Sequence, residues 1–309
     1  MIFPLFAFLM GVSLVFSLSK SLAALGPRQT TVKILKRSAL LYLFGLLTYG
    51  GISNGFEEIR LLGVLQRLAL CFLGAGLAFV WLPRKGWLVL TTSLLLGYWL
   101  LLSFVPVPGG SAGDFAETKN WSDWIDKHFL PLRKWNGDHD PEGLLSTLPA
   151  ICTTLLGMFA GKLLRDGEQD SLRKVKILAL WGGAGIVGGL LWSLHFPLIK
   201  NIWTSSFVLL TAGISTLLLA LFYYVIDIRS HRRWCQPFVW IGMNAITIYL
   251  LVHLVDFEHL ARYFVGGEIR GGLESLWTGL GDLLAALLGL AFSVWLCRFL
   301  YRRGIFLRV

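Results

Sequence analysis

Nine apolar blocks divide this sequence, at approximately residues 2–19, 38–56, 61–82, 86–105, 143–164, 177–195, 203–226, 238–256 and 277–297. Most are close to the roughly 20 residues a helix needs to cross a bilayer core. In hydrocarbon every backbone N–H and C=O must find its partner within the protein, which leaves helices or closed barrels. The short alternating segments of a barrel are missing. The expectation is therefore an all-α, polytopic transmembrane helix bundle of about nine spans, forming a single domain over 1–309. Composition agrees: 55% of residues are hydrophobic and 15% charged, and mean hydropathy is +0.67. Soluble domains carry about 25% charged residues.

A net charge of +10 raises the question of nucleic acid, which the distribution of charge excludes. Lys and Arg sit in short segments between the apolar blocks, a pattern that sets membrane orientation rather than a basic groove. Nineteen of the 28 fall on one set of alternate segments and eight on the other. The excess places Met1 outside and the C-terminus in the cytoplasm. Met1 runs straight into Ile2-Phe3-Pro4-Leu5-Phe6 with no basic residue before it, so the first block is expected to be a spanning helix rather than a secretory signal. Cys71, Cys152, Cys235 and Cys297 lie far apart without metal-ligand spacing, and are expected to be packing residues. No metal site is expected.

Two long outer segments, about 106–142 and 257–276, concentrate the chemistry. The first holds Trp121, Trp124, Trp135, Asp123, Asp126, Asp138 and Asp140; the second holds Glu258, His259, Glu268 and Glu274. The tryptophans suit either an interfacial belt or a shelf for a sugar. Gly157/Gly161 and Gly185/Gly189, each pair four apart, let helices approach closely.

Polar side chains at membrane depth are costly and usually functional. Gln66 and Arg67 fall inside an apolar block, two turns below Arg60, where Arg67 requires a carboxylate, a carbonyl or an anionic ligand. Asp140-Pro141-Glu142-Gly143 opens another block; its carboxylates either cap a helix or act on a sugar at the surface. Lys200-Asn201-Ile202-Trp203-Thr204-Ser205-Ser206 begins a third, as caps or as donors to a carbonyl. Asn244 lies deep in a fourth, with His253 and Asp256 beyond it. A lone helical histidine is more often a packing residue than a base.

Taken in order, Phe3 to Gly11, Arg60 to Leu68, Asp140 to Gly143 with the Gly157/Gly161 helix, Lys200 to Trp203, and Pro237-Phe238 with Gly242-Met243-Asn244 resemble the heparan-α-glucosaminide N-acetyltransferase family of transmembrane acyltransferases. The resemblance covers nearly the whole chain. It implies that acetyl-CoA, supplied from the cytoplasm, acetylates an amino or hydroxyl group of a saccharide outside. It further implies an acyl-CoA path lined by Gln66, Arg67, Asn201 and Asn244, and a sugar side formed by Asp140, Glu142 and Trp135. The family's proposed catalytic histidine lies in a loop before the Phe-Pro segment, where this chain begins. The expectation is a start placed downstream of that loop and one helix, with an inactive relative as the alternative. The base is accordingly unassigned, with His253 and His259 as fallbacks. A bacterial inner membrane is the expected location, and a homodimer is compatible with it. A sugar or anion transporter and a non-catalytic assembly component are the rivals from other classes.

Overall fold

A computed structural model describes residues 1–51, 53, 55–254 and 257–307, side chains 254, 258, 268 and 269 excepted. Asp256 and the side chains of Glu258 and Glu268 thus lie outside the described residues. Regular structure among the described residues is helical, with one isolated bridge between Arg60 and Arg133. Among the described residues seven helices are long and apolar enough to cross a membrane, or eight if a bent pair is counted as one span. The chain is an all-α integral membrane protein.

It divides into two compact units, 1–230 and 231–309. The first contains α1 (Ile2–Thr48), α2 (Val64–Trp81), α3 (Arg84–Phe104), the short α4 (Trp121–Phe129), α5 (Thr147–Arg165), α6 (Ser171–Trp192) and α7 (Ser205–Phe222). The first two apolar blocks share α1, and the basic segment expected to link them is helical too. Gly26 breaks this helix at φ 74°, ψ 176°. Glycine reaches that region without steric cost, and Pro27 disfavours helical geometry in the residue before it while suiting the first turn of the arm that follows. At the start of the second arm the Thr30 and Thr31 hydroxyls donate back to the carbonyls of Gly26 and Pro27, at 2.8 and 2.9 Å.

Close helix crossings hold this unit together, as the glycine spacing predicts. A Cβ at Gly157 would lie 2.0 Å from the Phe8 carbonyl oxygen, and one at Gly161 2.7 Å from that of Val12. The first arm of α1 therefore runs alongside α5 with backbones nearly touching. Gly185 and Gly189 of α6 meet the backbone of α7 at Gly213 and Leu210 in the same way. Lipid offers no hydrophobic drive between helices, so such close packing carries much of the association. The second arm of α1 lies antiparallel to α2, with Ile34 against Gly76 and Gly45 against Gln66.

The second unit contains α8 (Gln236–Met243), α9 (Ala245–Leu254), α10 (Phe257–Val265), α11 (Glu268–Leu276) and α12 (Leu280–Arg303). The block expected over 238–256 is bent by 64° at Asn244. The second long polar segment, about 257–276, folds into α10 and α11, which pack on α12; Arg270 pairs with Asp282 at 2.9 Å.

Candidate functional site

The carboxylates of the Asp140-Pro141-Glu142 turn do not cap α5, which begins only at Thr147 behind Ser146. They meet Arg60, eighty residues earlier. The Arg60 guanidinium donates to both Asp140 oxygens, Nε to Oδ2 at 2.8 Å and Nη2 to Oδ1 at 2.7 Å, and to Glu142 Oε2 at 2.7 Å. It also lies over the rings of Tyr49 and Trp135, 4.5 and 4.8 Å from their centroids, the two rings meeting edge to face. A planar, forked cation suits this bidentate and stacked arrangement. Asp140 also accepts from the backbone N–H groups of Trp135 (3.1 Å) and Glu142 (3.0 Å).

Burial pulls against the Arg60 charge, but the hydrogen bond and charge of Asp140, with Tyr49 and Glu142, outweigh it and hold its proton more tightly than usual. For Glu142 the balance reverses. Its burial raises the carboxyl above the ordinary range even though Arg67 and Arg60 pull it down. Behind them Asp126 is fully buried and accepts from the Leu144 and Asp140 N–H groups at 2.8 and 3.3 Å. Burial lifts it to about 6 against the pull of those two donors. Gly143 makes room for it, since a Cβ there would lie 2.0 Å from Asp126 Oδ2.

One turn into α2, Arg67 is 1% exposed. It donates through Nη2 to the Ser146 hydroxyl and, at 3.4 Å, to the Gly143 carbonyl. Its guanidinium carbon lies 5.1 Å from the Trp203 ring centroid, and the Trp203 indole N–H donates to Thr153 at 3.1 Å. Arg67 Nε and Nη1 have no hydrogen-bond partner, nor has Oε1 of Gln66, the residue before it. Gln66 Nε2 reaches the Arg60 carbonyl at 3.3 Å, in space left by Gly45 and Gly63.

The structure thus gathers Gln66, Arg67, Asp140, Glu142 and Trp135 at one end of the first unit. Asn201 is exposed in the turn before Trp203. Asn244 belongs to the second unit, where Nδ2 donates to the Trp240 carbonyl at 3.1 Å and Oδ1 has no partner. His253 is exposed and bonded through Nδ1 to the Tyr249 carbonyl at 2.8 Å; His259 is exposed beside Tyr263. Neither histidine belongs to the unit that holds the cluster. Nothing in the local sequence marks Ser146, Trp203 or Tyr49 as partners of the two arginines, because their pairing is purely tertiary. Among the described residues no group of His, Cys, Asp and Glu could hold a metal ion.

Comparison with known proteins gives concordant matches. The chain is 27% identical to mouse heparan-alpha-glucosaminide N-acetyltransferase over 85% of its own length and 48% of that protein. It is 26% identical to the human protein of the same name, over 100% of this chain and 54% of the relative. The chain thus spans about half the length of these curated relatives. The profile of the heparan-alpha-glucosaminide N-acetyltransferase catalytic family matches residues 1–197, which contain the whole arginine–carboxylate cluster, and the chain belongs to that family.

Proposed function

We propose that this chain is a membrane acetyltransferase that moves the acetyl group of acetyl-CoA to an amino or hydroxyl group of a saccharide on the opposite side of the membrane. The observation that carries this reading is the fully buried Arg67 with two donor positions unused, next to the carboxylate turn that ends at Gly143. Donors held in a water-poor site stabilise negative charge far better than they would in water. In the proposed reaction the sugar amine attacks the thioester carbonyl carbon. The C–N bond forms as the C–S bond breaks. Arg67 receives the oxyanion through its free N–H groups, Glu142 takes the proton from the new ammonium, and CoA leaves as thiolate to be protonated by water.

Glu142 suits that role because burial keeps its carboxyl easier to protonate than an ordinary glutamate. Asp140 and Trp135 are assigned to the sugar side, Trp135 as an exposed ring on which a pyranose can rest. Asn201 and Asn244 are assigned to the acyl-CoA path; the free Oδ1 of Asn244 at a broken helix supports its inclusion. A bacterial inner membrane and a homodimer complete the proposal.

The test is transfer of labelled acetyl from acetyl-CoA to glucosamine by the purified chain, followed against pH. Activity should rise through a proton dissociation above the usual glutamate range, and Glu142→Gln should remove that limb. Glucosamine uptake into proteoliposomes without acetylation would overturn the reading in favour of a permease.

A further inference from the structure

The far end of the first unit holds a crevice of about 640 Å³ formed by α3, α5, α6 and α7. Its floor is buried and apolar, with Ala160 and Ala212 at 1% and 4% exposure and Gly213 between α6 and α7. Its rim, Leu88 and Trp181, is open. Because these walls belong to membrane-crossing helices, the open side faces lipid. At the mouth, Arg84 and Lys85 begin α3, whose first turn carries no carboxylate. Neither cation has an ion-pair partner among the described residues.

A chain of methylenes fits such walls, and an anionic head fits such a mouth. The deep end does not continue to Arg67. One turn further along the same helices, Leu95, Cys152 and Val208 pack with Trp203 into a solid layer. A thioester lying in the crevice would therefore be kept from the arginine–carboxylate cluster.

We propose that this crevice is a binding site for one anionic membrane phospholipid, its phosphate on Arg84 and Lys85 and an acyl chain along the floor over Ala160 and Ala212. Basic side chains attract anionic headgroups at a membrane surface, while the buried tail adds affinity with every methylene.

Native mass spectrometry of the full chain in detergent, titrated with phosphatidylglycerol or phosphatidylcholine of identical acyl chains, tests this. One phosphatidylglycerol should be retained per chain, at least about tenfold more tightly than phosphatidylcholine. Arg84→Gln/Lys85→Gln, on exposed positions, should bring that ratio to about one. Leu88→Trp, at a 59% exposed rim position, should displace the tail and lower retention of both lipids, while both variants keep the wild-type melting temperature. Equal retention of the two lipids, or a preference untouched by the double substitution, would overturn the proposal. So would displacement of the lipid by equimolar inorganic phosphate, or saturable acetyl-CoA binding that the double substitution alone abolishes.

Discussion

Arg60 and Arg67 stand seven residues apart at the entrance of α2, and their surroundings differ in kind. Around Arg60 the protein has supplied a full complement: two carboxylates at 2.7 and 2.8 Å and two aromatic rings. Around Arg67 it has supplied one hydroxyl, one distant carbonyl and one ring, and has left Nε and Nη1 bare. A buried cation that is fully paired is a structural tie between distant segments, here the entrance of α2 and the turn before α5. A buried cation that is underpaired costs stability for as long as it lacks a ligand. The contrast teaches that two arginines in one short motif divide the labour, one holding the frame and the other held ready.

The largest effect should come from breaking the paired side. Arg60→Met leaves Asp140 buried and uncompensated, and should destabilise the chain by about 3–5 kcal/mol, read from unfolding in detergent. Arg67→Met should act on the reaction instead, lowering the acetyl-transfer rate by roughly 10²–10³ with no fall in the unfolding midpoint. If both substitutions destabilise equally and neither acts selectively on rate, the division of labour is gone.

Asp126 sharpens the comparison from behind, because it holds the backbone of Asp140 and Leu144. Its carboxyl sits at about 6 when folded, above the usual 3.8, so folding favours the protonated form. Below about pH 4 both states are protonated and the group costs nothing; as pH rises a penalty grows, levelling off above about pH 6 at on the order of 3 kcal/mol at most. Stability of the wild type measured between pH 4 and 7 should include this decline, and Asp126→Asn should lack it. The smallest effect belongs to the solvent-exposed pair Lys127–Asp138, whose 2.6 Å contact lies in water. Lys127→Ala should leave melting temperature and rate unchanged, since exposed pairs contribute little.

Helical architecture was plain in the sequence because lipid removes the alternatives, so apolar runs report helices directly. Charged and amide residues within those runs pointed to Gln66, Arg67 and Asn244, and the acidic turn to Asp140 and Glu142. Local pattern could not pair Arg60 with a carboxylate eighty residues away, nor place Trp203 under Arg67. It also misjudged the acidic turn's place: a Pro-Glu sequence that suits a first helical turn sits a full turn before α5, since Arg60 claims both carboxylates. The break at Asn244 and the helical 257–276 segment escaped for a related reason. Asn244 sits in an unbroken apolar run, and α10 and α11 are short enough to read as loop.

Whether Arg67 receives the acyl carbonyl can be observed directly. Isotope-edited infrared spectra of acetyl-CoA labelled with ¹³C at the carbonyl, bound to the full chain, should show the stretch shifted to lower frequency by hydrogen bonding, and Arg67→Met should return it to its position in an apolar solvent. A carbonyl band identical in wild type and Arg67→Met, with acetyl-CoA bound to both, would contradict the assignment.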